Sequence, residues 1–300
     1  MIYTVTLSPS IDYVVRLSSM RFNVTNRTDE EEFYFGGKGI NVSQVLGELD
    51  LPSTALGFIA GFTGDAIAQG IGSDMVRTEF IRLEKGFSRI NIKIKAGGET
   101  EINGQGPDIP ADALEQLMKK LDGIQDGDVL VLAGSIPKSM PDDVYERMLD
   151  RVSHKNIMIV VDATKQLLVN SLKNHPFLIK PNRLELSEIF HAEVENEADV
   201  EKYARKLQEM GARNVIVSLG RKGALLVDET GGVHKQGTLK QTVINTVGAG
   251  DSMVAGFIAG YLKTKDYGYA LKLGSACGNA TSFLPGLATK EKIYELLEQF

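Results

Sequence analysis

The sequence has a single cysteine, Cys277, so it cannot close an intramolecular disulfide, and no CxxC or Cys/His cluster surrounds it. A thiolate zinc site is thereby excluded, and a reducing compartment is expected. The four histidines, at 154, 175, 191 and 234, show no metal-ligand spacing. There is no excess of positive charge either: 33 Lys and Arg stand against 39 Asp and Glu, a net charge of −6. No general basic field exists to gather nucleic acid, and any anion site must be local. Nowhere do eighteen apolar residues run together, and MIYTVTLSPSID carries no basic residue before Arg16 and no signal-length apolar core. The expectation is a soluble, cytoplasmic protein that binds neither nucleic acid nor membrane. Repeats, low-complexity tracts and Pro/Ser-rich linkers are also missing.

What the chain does have in surplus is glycine, 31 in 300 residues. Glycine marks backbone that turns sharply or approaches a ligand closely. Apolar β-branched runs at 2–7, 128–133, 157–162, 177–179 and 214–219 predict strands buried on both faces. Between and after them, helical patterns fall at 39–49, 64–77, 111–122, 142–153, 184–191, 197–210, 252–264, 267–282 and 289–299. Such alternation predicts an α/β fold, a mostly parallel sheet with helices on both faces. Residues 12–17, 31–35 and 89–103 break the scheme with polar alternation and a Gly97-Gly98 turn. They predict a small second sheet standing off the first as a lid, so that residues 1–300 form one domain with an inserted lid.

In such folds ligands sit beyond the carboxyl ends of the strands. Gly36-Gly37-Lys38-Gly39-Ile40-Asn41 lies between a β-like stretch and a helix. A flexible connector would explain the glycines but not Lys38, a cation in a first helical turn that opposes the macrodipole unless an anion joins it. Asn245-Thr246-Val247-Gly248-Ala249-Gly250-Asp251 precedes another helix. Asp251 reads either as an ordinary N-cap or as a general base beside an anion-holding nest of Gly248, Ala249 and Gly250. Taken together the two loops suggest phosphoryl transfer. GxGxxG would need glycine where Val42 and Met253 stand, and GxxxxGK[ST] is absent, which disfavours Rossmann dehydrogenases and P-loop enzymes.

Asn182 and Glu185 read as a capping box or as partners of a water-shelled Mg²⁺. Ser218-Leu219-Gly220-Arg221-Lys222-Gly223 reads as a hairpin turn or as backbone offered to a nucleotide, and Arg89 and Asp12 as surface charges unless a site claims them.

GGKGIN, AGSIP at 133–137, KPNRLE, SLGRKGA and TVGAGD, in this order across nearly the whole chain, resemble the ribokinase/PfkB family of sugar kinases. The resemblance implies a three-layer α/β/α fold and ATP-dependent phosphorylation with Mg²⁺. TLSPSID, SRIN at 88–91 and TEING are similar to members that act on ketohexose monophosphates, with D-fructose 1-phosphate the expected acceptor. Tagatose 6-phosphate or fructose 6-phosphate is the alternative, and a non-catalytic sugar-phosphate sensor is the rival of another class. By this resemblance Asp251 is the base, with Gly248, Ala249 and Gly250 as anion hole. Asp12, Gly36, Gly37 and Asn41 contact the sugar, and Lys38, Arg89, Ser135 and Arg27 receive its phosphate. Lys180, Asn182, Ser218, Gly220, Gly223 and Asn279 line the ATP side, and Asn182 and Glu185 organise Mg²⁺. A lid-mediated homodimer is also implied, through apolar positions Tyr13, Val15, Phe33, Tyr34 and Phe35. Two departures stand out. Asn245 replaces a common Asp, which removes a carboxylate that helps bind a monovalent cation, and Ser8 replaces a common Asn, which is expected to alter a hydrogen bond beside Asp12.

Overall fold

The computed structural model describes residues 1–300. Its main sheet has ten strands. From one edge they run β14 (Val233–Gln236), β13 (Ala224–Val227), β12 (Asn214–Ser218), β11 (Leu178–Ile179), β10 (Met158–Asp162), β9 (Val129–Ala133), β1 (Ile2–Thr6), β4 (Ser53–Ala60) and β5 (Val76–Thr78), with β6 (Ile81–Leu83) extending beside the far half of β4. All neighbours are parallel except β12/β13 and β13/β14.

Alternate residues of the buried strands serve two cores. Leu130 and Leu132 of β9 join the core roofed by α3 (Ala111–Asp122), α4 (Val144–Val152), α5 (Lys165–Ser171), α6 (Arg183–Phe190) and α7 (Glu197–Glu209). Val129 and Val131 join the opposite core under α1 (Lys38–Glu48), α8 (Ala249–Thr264), α9 (Tyr267–Ser282) and α10 (Lys290–Leu297). Both faces are therefore covered, which is why these strands read as continuous apolar runs.

The second sheet has four strands in the order β3 (Glu30–Gly36), β2 (Ser10–Arg16), β7 (Arg89–Lys95), β8 (Glu99–Asn103). Its pairing sorts residues by face. Ser10, Asp12, Val14 and Arg16 share one face with Arg89, Asn91, Lys93 and Lys95, and with Tyr34 and Glu32. Ile11, Tyr13 and Val15 share the other with Ile90, Ile92, Ile94, Phe33, Phe35 and Ile102. The expected second sheet is present, with two corrections to its apolar positions: Tyr34 points to the polar face, where a Cβ on Gly286 would touch its ring, and Phe35 packs inward. At the lid's root Ile11 and Phe35 turn in against Ile40 of α1 and against Ile67 and Ile71 of α2 (Gly61–Ile71).

Several segments differ from expectation, among them β6, α5, β13 and β14, which fall where no element was expected. The helix expected over 64–77 starts at Gly61 and ends at Ile71, and 76–78 form a strand. Residues 53–60, where no element was expected, are a fully buried strand between β1 and the short edge strands β5 and β6. Gly57 hides it. A Cβ there would lie 1.9 Å from the Thr6 carbonyl oxygen, and its φ is 148°. Gly57→Ala should force β4 away from β1 and destabilise the protein by about 1 to 3 kcal/mol. An unchanged thermal midpoint would show that the strand pair shifts freely.

Candidate active site

Two helix N-termini and the lid meet over the carboxyl ends of β1, β9, β10 and β11. Gly37, with φ 127°, lets α1 start hard against β1, where a Cβ would collide with Thr6 Cγ2 at 2.5 Å. The Thr6 hydroxyl accepts the Ile40 N–H at 3.0 Å, and Gly37 O accepts the Asn41 N–H at 2.9 Å. Part of the expected α1 anion cradle is thus consumed internally. α8 begins at Ala249, three residues before the expected start, with Gly248 as a left-handed N-cap. Asp251 is therefore inside the first turn and caps nothing; its Oδ2 accepts from Asn41 Nδ2 at 2.7 Å. Because Ser252 is the first residue to bond back, to Gly248 O, the N–H groups of Gly250 and Asp251 have no partner within the helix.

Asp251 is 5% exposed. Burial, and then the negative charge of Asp162, push its carboxyl up to about 6, against the opposing pull of Lys38, the Asn41 hydrogen bond and Lys180.

Asp162, which the sequence reading missed, ends β10 and is 2% exposed. Its Oδ1 lies 3.2 Å from Lys38 Nζ and 3.6 Å from Lys180 Nζ, while its Oδ2 is buried without a partner. Burial would raise its carboxyl, but Lys180 and Lys38 outweigh that and hold it below the ordinary carboxylate range. Burial likewise works against the Lys38 ammonium, and Asp162 reverses it, leaving Lys38 above its usual value. The anion that justifies a lysine at the head of α1 is thus in the protein itself.

At the lid end, Asp12 Oδ1 accepts from Asn91 Nδ2 at 2.8 Å and from Ser10 Oγ at 3.0 Å, and Lys93 Nζ stands 3.5 Å from its Oδ2. Ser8 makes no side-chain bond to Asp12; Ser10 fills that part. Asn91 Oδ1 and Arg89 Nε are buried and unpartnered, and burial depresses the Arg89 guanidinium despite nearby Asp12. A cavity of about 260 Å³ runs between this lid face, with Asp12, Gly36, Asn41 and Lys93, and a wall that includes Asn245, Val247, Gly286 and Leu287. Asn245 forms a local turn, its Oδ1 accepting from Val247 N at 3.0 Å. Ser135 is exposed just past Gly134, whose added Cβ would touch the Lys38 stem at 3.8 Å. Arg27 lies exposed in the β2–β3 connection and makes no hydrogen bond or ion pair, so the structure does not bring it to the site.

The nucleotide-side residues divide. Lys180 points at the α8 N-terminus, where a Cβ on Gly250 would lie 3.0 Å from its Nζ. Ser218 bridges to Asn182 at the sheet edge, and Gly220 faces open space. Gly223 instead closes the β12–β13 hairpin, where a Cβ would fall 1.9 Å from Gln236 O. Asn279 is a strut: its Oδ1 accepts from Leu239 N at 3.1 Å and its Nδ2 donates to Ser275 O at 2.8 Å. One bond at each polar end is made inside the protein, which fixes the amide beside the 239 loop.

Asn182 and Glu185 do form the capping box: Asn182 Oδ1 accepts from Glu185 N at 2.9 Å, and Glu185 Oε2 accepts from Asn182 N at 2.7 Å. Glu185 Oε1 is left over, which fits a Mg²⁺ held through water better than one bound directly. No group of three or more His, Cys, Asp or Glu side chains makes a ready metal cage.

A buried, elevated carboxylate, free helix N–H groups and two lysines at a sheet's carboxyl edge define a site for moving a phosphoryl group onto a hydroxyl. Residues 5–292 match the pfkB family carbohydrate kinase model, and the chain belongs to that family. It is therefore an ATP-dependent phosphotransferase with an alcohol group as acceptor, and it uses Mg²⁺. It is 42% identical to 1-phosphofructokinase of Bacillus subtilis, over 100% of this chain and 98% of that one. It is 35% identical to D-tagatose-1-phosphate kinase of Bacillus licheniformis, over 100% and 98%. Phosphofructokinase-2 from Escherichia coli, solved in complex with substrates and products, superposes with a TM-score of 0.93 at 27% identity, covering 99% of this chain and 98% of that one. Ribokinase from Arabidopsis thaliana shares the fold, with a TM-score of 0.78 at 20% identity over 99% and 98%. No helix is long and apolar enough to cross a membrane.

Asp251→Asn should lower kcat by about 10² to 10⁴. Because the folded pKa of Asp251 lies above the unfolded one, its ionised form costs stability, and that cost grows as pH rises from about 4 to 6. The variant should therefore melt no lower than wild type at pH 7. In the wild type, the acid limb of kcat/KM should fall near pH 6; a limb near pH 4 would show that Asp251 is not the base.

Proposed function

We propose that the chain phosphorylates D-fructose 1-phosphate to fructose 1,6-bisphosphate, as one kinase domain with the lid inserted in it. The observation that carries the acceptor is the 42% identity, end to end, with a 1-phosphofructokinase. The site geometry supplies the chemistry. Asp251, oriented by Asn41, takes the proton from the acceptor hydroxyl as the oxygen attacks, and its own raised pKa makes it basic enough to do so near neutrality. The backbone from Gly248 through Ala249 and Gly250, at the positive end of α8, stabilises charge on the transferring group. Asp12, Gly36, Gly37 and Asn41 hold the sugar hydroxyls under the lid. Arg89 and Ser135 take the phosphate already present.

Arg89 carries the electrostatic support for this reading. It is a buried guanidinium whose Nε has no protein partner and whose charge burial disfavours, so an anionic ligand would relieve its isolation. Lys180, Ser218 and Gly220 line the nucleotide side. Asn182 and Glu185 would hold the water shell of Mg²⁺, which supplies charge neutralisation across the nucleotide phosphates. A cytoplasmic setting suits the free, buried Cys277.

A second reading, D-tagatose 1-phosphate as acceptor, is favoured by the 35% identity with the kinase of that name. Both acceptors carry the phosphate on C1, unlike the 6-phosphates considered from sequence alone. Initial rates of ADP release with fructose 1-phosphate, tagatose 1-phosphate, fructose 6-phosphate and tagatose 6-phosphate should give the highest kcat/KM for the first. A higher value for tagatose 1-phosphate would replace the assignment, and no release with any of them would favour a sensor.

The lid's apolar face supports a homodimer. Phe33 and Ile102 are 62% and 54% exposed on it, beside Tyr13 and Ile92. Sedimentation should show a dimer that Phe33→Asp converts to monomer; a wild-type monomer at micromolar concentration would remove this part of the reading.

A further inference from the structure

The roles above leave out Asp162 and the way it joins Lys38 to Lys180. One carboxylate oxygen is shared by both ammonium groups, at 3.2 Å from Lys38 Nζ and 3.6 Å from Lys180 Nζ, so the two cations converge on a single point. They arrive from opposite sides. Lys38 stands at the head of α1, one turn from Asn41 and the acceptor end; Lys180 follows β11 and reaches the head of α8 beside Gly250. The carboxylate is nearly sealed from water, and so is Lys180, with a side chain 7% exposed, whereas Lys38 is 36% exposed toward the site. Asp162 Oδ2 is buried without any hydrogen-bond partner. A buried anion with so little direct hydrogen bonding is retained at a cost, which a task of holding two cations in place would offset.

The geometry points to Asp162 as a positioning residue that holds Lys38 and Lys180 as a two-pronged clamp on the phosphoryl group in flight. This assigns Lys38 to the transferring group and not to the phosphate the acceptor already carries, and it rests on the kinase reading above. A phosphoryl group midway between donor and acceptor spreads its charge over three equatorial oxygens. Two cations converging from the acceptor side and the donor side, with the α8 N–H groups as a third direction, match that distribution. A lone substrate phosphate at the far end of the sugar would need only one of them. Asp162 also keeps the pair from repelling apart before the phosphoryl group arrives, and its single charge leaves the trio with a net charge of +1.

The two assignments of Lys38 give opposite kinetics. If it clamps the transferring group, Lys38→Met lowers kcat by about ten- to hundredfold and leaves KM for the sugar phosphate within about twofold. If it held the acceptor's phosphate, that KM would rise with kcat unchanged, and the inference would fail. Asp162→Asn should lower kcat as well, and its effect should shrink in the Lys38→Met background, because it acts through the lysines. Multiplying effects would show Asp162 to be independent of Lys38, again overturning the clamp. A binding measurement needs no turnover. Calorimetric titration with Mg²⁺ and either AMP-PNP or ADP isolates the γ-phosphoryl contribution, and Lys38→Met and Lys180→Met should each cut the AMP-PNP preference by roughly tenfold. An unchanged preference in both variants would overturn the inference. Should none of the ketohexose phosphates be turned over, the acceptor assignment fails while the comparison of the two nucleotides still decides this one. Lys38→Met removes an exposed end and keeps the stem, so it tests the clamp even if Asp162→Asn does not fold.

Discussion

Two carboxylates, Asp162 and Asp251, are buried near enough to raise the energy of each other's charge, and the catalytic end of the molecule is organised around tolerating both. The tolerance is unequal. Asp162 has two lysines against it and remains ionised well below neutrality, whereas Asp251 has only the Asn41 amide in direct contact and is left as the easier of the two to protonate. That inequality separates a fixed anion from a carboxylate that protonates readily, using residues of the same type. The positions of Lys38, Lys180 and Asn41 follow from where α1, β11 and α8 begin or end, so the division of labour is written in the topology of the sheet.

The helix starts matter for the same reason. Gly37 and Gly248 allow α1 and α8 to begin in contact with the sheet and with each other's first turns, and Asn41 and Asp251 then meet across the gap. Neither helix uses a side-chain cap. Ordinary capping would have placed a short polar side chain on the N–H groups that a phosphoryl oxygen has to reach. The start of α8 forgoes that local stabilisation and leaves its donors unspent.

Much of this was legible in the sequence where the physics is local. Polar alternation and the Gly97-Gly98 turn marked the lid, continuous apolar runs marked the central strands, and the odd placement of Lys38 marked a charge that had to be answered. What could not be read was decided by distant partners. Asp162 looks like the end of a strand run until β10 is laid beside β9 and β11. β4 was invisible because Gly57 interrupts its pattern, and the need for glycine there is imposed by Thr6, fifty-one positions earlier. Asn279 fits the expected motif order, but its bonds to Leu239 and Ser275 are a fact of loop packing that no spacing reveals. Asn91 and Lys93 were passed over as ordinary strand residues, although their register beside Asp12 follows from alternation once the lid's pairing is known.

The alternation of the lid strands has a consequence for how this protein can change over generations. Along β2 and β7, successive residues answer to different pressures: Asp12 and Lys93 line the cavity on a face that Asn91 shares, while Tyr13, Ile92 and Ile94 lie on the opposite face. Because neighbours in sequence are on opposite faces, mutation can remodel the outward surface, and with it the identity of whatever docks there, while leaving the inward set untouched. The reverse is equally open. A strand pair of seven residues per strand thus carries two nearly independent inheritable surfaces, interleaved one residue apart.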